Sequence, residues 1–356
     1  MPESDAATTV SRPSRGNLLV KIAASLFLAG CFFWVFRHGG LPLLPAPNTT
    51  THLVWPLLPL QILALLVVIT FRTYRWRHLL EPLGGLPIRR MFGISLVGFA
   101  YIAFVPFRMG EFARPYMVSR ASSITFTQAT GTIAAERIID GLLVSFLLLL
   151  GLLTSEHLPQ FPDRLGKLPL PVAAIPRATY SALALFTAAF LAMGIFYWAR
   201  TLARRLTQAV FGWISPRLAS FLTEKVERVA DGLKFLPSTR SSLPYLRDTL
   251  LYWFLCILYT WLALRSCSLD ASFSQAIVIL GVVGLGILVP SGPGFFGSFQ
   301  LASYCGLAMF FPEEIVLSRG SLYVFLTYTI QHIVNLLGLL LGLWFLKSPP
   351  SQENHL

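Results

Sequence analysis

The sequence predicts an all-α polytopic membrane protein with about six full spans and two re-entrant broken-helix hairpins arranged as an inverted repeat. Three observations predict it. Of 356 residues, 55% are hydrophobic and 12% charged, with a mean hydropathy of +0.66, whereas about a quarter of a soluble domain is charged. The apolar residues fall in runs long enough to cross a hydrocarbon layer about 30 Å thick. Prolines and glycines interrupt two of those runs, and non-helical backbone at that depth must be buried in protein or line a cavity.

The formal charge of +12 does not point to nucleic acid. The basic residues sit in a few blocks beside apolar runs, where the positive-inside rule puts them. The four cysteines, Cys31, Cys256, Cys267 and Cys305, have no C-x-x-C spacing and support neither a disulfide framework nor a zinc site. We expect no metal and no cofactor.

Residues 1–17 are polar and read as a cytoplasmic N-terminus. The run 18–36 is long for a signal-peptide core and no small-x-small cleavage site follows it, so it reads as an uncleaved first span. Residues 37–52 suit an external loop and 53–71 return. Arg72, Arg75, Arg77, Arg89 and Arg90, opposed only by Glu81, then read as a cytoplasmic loop. Residues 200–248 carry nine Lys or Arg against four Asp or Glu, so they too belong on the cytoplasmic side. That requires an even number of crossings among three apolar segments, 91–107, 124–153 and 178–198. Letting 91–120 dip in and return supplies it, with 154–177 external.

Residues 200–248 repeat apolar positions at helical spacing between basic ones, the pattern of helices lying at the inner membrane surface. Residues 249–264 then cross outward. The apolar run 273–289 ends at Pro290, Gly292, Pro293, Gly294 and Gly297, too many breakers for a continuous helix, and a further apolar piece runs to 311. The last span is 320–346, in which Gly338 and Gly342 are spaced for close helix packing. His332 in that span reads as a packed, hydrogen-bonded helix residue. Residues 347–356 form a polar, cytoplasmic tail, and 18–346 make one membrane domain.

The chain's unusual chemistry lies in 105–115. Arg108, Glu111 and Arg114 fall three apart, so on a helix they share a face, with the carboxylate between two guanidinium groups. Charges at membrane depth persist when they pair, are reached by water or bind something. Pro106, Gly110 and Pro115 break the helix around them. In the following segment Glu136 and Asp140 share a face beside Arg137. Two compatible readings stand: an ion-pair network at the helix end, or carboxylates that hold Arg108 or Arg114 in place or relay protons. Segments 53–71, 91–120 and 124–153 form one unit and 249–264, 273–311 and 320–346 another, with the broken hairpins entering from opposite sides. That is the hydropathy pattern of an inverted repeat, whose binding site lies where the broken elements meet.

The same residues carry a resemblance. Pro106-Phe107-Arg108-Met109-Gly110-Glu111-Phe112-Ala113-Arg114 resembles the P-x-R-x-G-E-x-x-R motif of the flippase-like, lysylphosphatidylglycerol synthase transmembrane-region family. Glu136-Arg137-Ile138-Ile139-Asp140 is similar to its E-R-x-x-D, Tyr74-Arg75-Trp76 to an early aromatic and basic element, and Pro290 to Gly297 to its late glycine-rich motif. One position departs: Gly297 stands where many members have Glu. The resemblance implies a protein of the cytoplasmic membrane that moves a lipid between leaflets, without the soluble aminoacyl transferase found in the best-known members. It leaves the lipid open among a phospholipid, a polyprenyl-phosphate carrier and a hopanoid-type lipid.

The expected function is therefore a non-enzymatic translocator of an anionic or phosphate-bearing lipid. Arg108, Glu111, Arg114, Glu136, Arg137 and Asp140 are the candidate headgroup site, and Pro106, Gly110, Pro115, Pro290, Gly292, Pro293, Gly294 and Gly297 the hinges. Expected partners are the lipid itself, with a second copy of the chain or a lipid-biosynthesis enzyme as further candidates. Two alternatives stand beside this: an intramembrane lipid-modifying transferase using Glu111, Glu136 or Asp140 as base, and a non-transporting partner of a lipid-modifying enzyme. No H-E-x-x-H, G-x-S-x-G or nucleotide-binding motif occurs.

Overall fold

Eleven α-helices longer than one turn stand among the residues that a computed structural model describes, 15–105, 110–199, 201, 205, 208–210, 213 and 215–347. They are α1 (Arg15–Gly39), α2 (Leu57–Leu80), α3 (Ile88–Phe104), α4 (Ala113–Ala121), α5 (Phe126–Thr154), α6 (Ile175–Trp198), α7 (Pro216–Asp231), α8 (Thr239–Ser266), α9 (Phe273–Gly286), α10 (Ser298–Ala308) and α11 (Ser321–Lys347). Among the described residues, five helical segments are long and apolar enough to cross a membrane: Leu57–Leu83, Phe126–Thr154, Val172–Trp198, Thr239–Ser266 and Glu313–Lys347, with shorter apolar helices at Ala23–Gly39 and Phe273–Gly286. Such a chain must pair its backbone internally, and helices do so within one segment.

Two boundaries differ from the sequence expectation, both towards longer helices. α2 continues nine residues past 71, so Arg72 and Arg75 belong to the span and not to a cytoplasmic loop. Trp76, Leu79 and Leu80 behind them are buried, and their apolar surface keeps the helix packed after the basic residues begin. α8 starts at Thr239 and not near 249, with Pro244 in its second turn, where it forgoes one intrahelical N–H bond. The 154–177 connection also contains a small antiparallel ladder, Arg164–Leu165 with Leu168–Pro169. It ties to the end of α1 through Lys167 N–H donating to the Gly39 carbonyl at 2.8 Å. In the amphipathic region, α7 lies across the start of α5. Gly131 and Gly232 let the two backbones touch: a Cβ on Gly232 would sit 2.4 Å from the Gln128 carbonyl oxygen.

Both broken segments are hairpins. In the first, α3 and α4 run antiparallel: Gly110 packs against the backbone of Tyr101 and Ile102, Gly98 against the Arg114 side chain, and the Arg90 guanidinium reaches the Ala121 carbonyl. Pro115 is buried in the first turn of α4 and does not break it, since an early helical position has no intrahelical N–H bond to lose. Pro106 lies outside the described residues. In the second hairpin α9 and α10 run antiparallel, with Gly286 against Ala302 and Gly306 against Ile279. Its tip is non-helical as expected: Gly294 and Gly297 have φ of 69° and 98°, a conformation glycine adopts without a Cβ penalty.

The helices around the hairpins pair by exchange. α2 lies along α8, α3 along α11, and α5 along α9. The pairs are antiparallel: Val54 N–H donates to the Ser266 carbonyl at one end of α2 and α8, and His78 meets Asp248 at the other. Gly342 of α11 packs on Gly93, Leu96 and Val97 of α3, with Gly338 also against Leu96, so both glycines lie in a tight helix contact. Gly281 packs on Leu148 of α5 in the same way. Each hairpin's first helix therefore lies against the last long helix of the other unit.

Candidate functional site

Arg75 is fully buried and its charge has to be met inside the protein. It forks onto Asp140 of α5, Nη1 to Oδ1 and Nη2 to Oδ2, both at 2.6 Å, and Nη2 also donates to Glu136 Oε1 at 3.3 Å. The bidentate arrangement is the strong form of a guanidinium–carboxylate contact. Tyr252 of α8 lies beneath the guanidinium, ring centroid at 4.3 Å. Neighbouring Trp76 donates from Nε1 to Thr132 Oγ1 at 3.1 Å, which fixes α2 to α5 beside the ion pair.

Glu136, fully buried, serves three arginines. Besides Arg75 it accepts from Arg114 Nη1 at 3.1 Å through Oε2 and from Arg137 Nη2 at 2.5 Å through Oε1. Arg114 also lies over the Trp76 ring at 3.9 Å, an aromatic face that offsets part of its desolvation. Asp140 takes a further bond from Trp253 Nε1 at 3.3 Å, and its Oδ2 stands 3.6 Å from Arg137 Nη2. α2, α4, α5 and α8 thus meet through one charged cluster at membrane depth. Ten residues separate Glu136 from the start of α5, about 15 Å along the axis.

This cluster forms one wall of a cavity of about 540 Å³. Arg72, Glu111, Arg137 and Asp140 line it, while Arg75, Arg114 and Glu136 stand behind them. The described members amount to four guanidinium groups, Arg72, Arg75, Arg114 and Arg137, against the three carboxylates Glu111, Glu136 and Asp140, a surplus of one positive charge. Buried Nε atoms of all four arginines, and Nη2 of Arg114, have no hydrogen-bond partner. Those donors face the protein and not the cavity; it is the surplus positive charge in a low-dielectric wall, with Arg72 and Arg137 at its surface, that suits an anion such as a phosphate. Among the described residues no group of three or more His, Cys, Asp or Glu could hold a metal ion.

The far end of the cavity is where the two broken hairpins meet. Gly294 and Phe295 of the second tip line it. The space beside Gly294 is filled by His332 Nε2 and the Tyr328 hydroxyl of α11, and Phe104, the last residue of α3, meets the His332 ring edge-on at 5.8 Å.

The expected candidates separate on this geometry. Glu136, Arg137 and Asp140 come together. Arg114 joins them through Glu136, across from α4 to α5. Glu111 lines the cavity, and Arg108 lies outside the described residues. Pro290, Gly292 and Pro293 sit at the second tip, Gly292 against Ala29 of α1. Gly297 packs against the Phe32 ring of α1, with a Cβ there 2.1 Å from Phe32 Cγ. A side chain at this position would run into α1.

Sequence reasoning missed Arg72 and Arg75 as site residues, and Tyr252, Trp253, Gln331 and Asn335 as lining. The signal for Arg75 was present in the spacing: Arg72, Arg75, Trp76 and Leu79 mark one helical face, which a loop has no reason to keep.

Residues 18–335 match the family model described as the lysylphosphatidylglycerol synthase TM region. The chain belongs to that family. The match spans α1 to the middle of α11 and includes both hairpins and the whole charged cluster. Neither the curated proteins nor the solved structures compared with this chain gave a match. Family membership and the membrane-spanning helices together make this lysylphosphatidylglycerol synthase TM region protein a multi-pass membrane protein of lipid metabolism.

Proposed function

We propose that this protein translocates an anionic, phosphate-bearing lipid between leaflets, binding it without making or breaking a covalent bond. The observation that carries the reading is the cavity itself, walled by a cationic cluster and lined by residues of both broken hairpins, Ile102, Ala103 and Glu111 of the first and Gly294 and Phe295 of the second. Arg72 and Arg137 meet the phosphate, Arg75 and Arg114 supply field from behind, and Glu136 and Asp140 balance the site when it is empty. Glu111 lies at the same wall and shapes it.

The exchange-symmetric packing supports an inverted repeat, and a glycine pattern runs parallel to it. Gly93 and Gly98, five apart on α3, face the partner unit's α11 and the returning helix α4. Gly281 and Gly286, five apart on α9, face α5 and the returning helix α10 in the same order. Two units built alike but inserted oppositely open a shared site to either side with rearrangements of equal kind. In this reading the protein works in the cytoplasmic membrane with both termini inside, and any driving force comes from an ion gradient, the membrane potential or the lipid gradient.

Two-sided access tests this. Ile102 lines the cavity on α3. With Cys31, Cys256, Cys267 and Cys305 replaced by Ala, Ile102→Cys in sealed proteoliposomes is expected to react with a membrane-impermeant maleimide added from either side. Reaction from one side only, with full reaction after denaturation, would mark a static cavity and overturn alternating access.

A further inference from the structure

The arginine wall is one end of the cavity; the other end has different chemistry. Tyr328, Gln331, His332 and Asn335 of α11 all line it. They stand at i, i+3, i+4 and i+7, a single stripe on one helical face, in a helix otherwise mostly apolar. None carries a carboxylate or a permanent charge. Among the described residues, the Gln331 and Asn335 amides make no hydrogen bond. His332 Nδ1 is taken by the Tyr328 carbonyl at 2.8 Å, and its Nε2 lies against the backbone of Gly294 at the second hairpin tip. Rings surround the stripe: Phe299 lies 5.5 Å from Tyr328 and Phe104 5.8 Å from His332.

The separation of the two ends can be read along α3. Arg72 lies over Phe99 at 4.2 Å and His332 meets Phe104. Five residues of helix set these levels roughly 7–8 Å apart, about the reach from a phosphate to the far hydroxyls of a ring attached to it. Polar groups that face an apolar cavity with unused donors and acceptors fix the orientation of whatever enters. Two amides, with aromatic rings beside them, offer donors and acceptors together with flat apolar faces. That combination suits a cyclic polyol, which shows hydroxyls around its rim and C–H groups on its faces. An ammonium group would find no carboxylate on this stripe.

We propose that the α11 stripe is a second headgroup subsite, so that the lipid carried is a phosphate lipid bearing an uncharged sugar or cyclic polyol. This rests on the reading of the arginine end as a phosphate site. The probes are phosphatidylinositol, phosphatidic acid and soluble inositol 1-phosphate, tested for binding to the full-length protein in detergent by native mass spectrometry. Wild type is expected to bind phosphatidylinositol about tenfold more tightly than phosphatidic acid, the gain of two or three neutral hydrogen bonds. Gln331→Leu/Asn335→Leu is expected to level the two lipids while leaving phosphatidic acid binding as in wild type, and soluble inositol 1-phosphate to displace neither. Tyr328→Phe, which keeps the ring, reports on the same stripe with little risk to folding and is expected to lose part of the preference.

Equal binding of the two lipids by wild type, or a preference that survives in the double variant, would overturn the subsite. Displacement of phosphatidylinositol by inositol 1-phosphate as complete as by the lipid would assign the site to a soluble anion instead. If neither lipid binds wild type, the phosphate reading of the arginine end fails with it.

Discussion

Glu136→Gln is expected to be the most damaging single substitution in the protein. Glu136 is fully buried and accepts from Arg75, Arg114 and Arg137; the change keeps its size and removes its charge. Arg114, 1% exposed, then loses the carboxylate to which it donates, and its position over Trp76 offsets only a part of that loss. Breaking a buried pair by removing one partner costs about 3–5 kcal/mol, and here one carboxylate answers several guanidinium groups. Unfolding in a graded SDS titration should show the order wild type, Glu136→Asp, Glu136→Gln, with the last yielding little folded protein. A Glu136→Gln protein as stable as wild type would show that water or lipid already neutralises these arginines.

The second large effect concerns Arg75 and Asp140. Arg75→Met leaves Asp140 with Trp253 and a distant Arg137, and Asp140→Leu leaves Arg75 with a single 3.3 Å contact to Glu136. Each single change strands a buried charge and is expected to cost about 3–5 kcal/mol. The double change removes both charges and should be far milder than the sum, with a coupling of up to about 3 kcal/mol. Arg75→Lys keeps the charge but not the fork that matches both carboxylate oxygens, and should fall between wild type and Arg75→Met. Additive single effects in the same titration would mean that the two side chains do not stabilise one another.

Much of this architecture was legible in the chain. The charge count that required an even number of crossings before residue 200 led to the hairpin of α3 and α4, and the prolines and glycines at 290–297 led to the second. Glu136 and Asp140 were visible as carboxylates on one face near the start of their helix, and their arginine partners were half visible. Arg114 was expected to share Glu111 locally, because residues three apart on a helix are neighbours; it bonds Glu136 because the hairpin folds α4 onto α5. Arg75 was harder. Five arginines between 72 and 90 look like a solvated loop, and only the apolar residues interleaved among them, Trp76, Leu79 and Leu80, keep α2 packed to its end.

Two features depend on tertiary placement that no local pattern carries. One is Phe32 of α1 lying on Gly297, which leaves no room for a side chain there. The other is the matching glycine spacing of α3 and α9, which is not local similarity of side chains but similarity in what each glycine lets approach.

Arg137 offers the most direct test of transport. Its side chain lines the cavity and is 29% exposed, so its loss disturbs the fold less than that of Arg75 or Arg114. Arg137→Gln also removes the surplus positive charge of the cluster. The measurement is the movement of a fluorescent anionic phospholipid across the bilayer of reconstituted liposomes, followed with a membrane-impermeant quencher, for wild type and Arg137→Gln checked for equal folding. Translocation by wild type that Arg137→Gln reduces at least tenfold is the predicted result. Wild-type protein that moves no anionic lipid faster than empty liposomes, or Arg137→Gln protein that moves it as fast as wild type, would contradict the account.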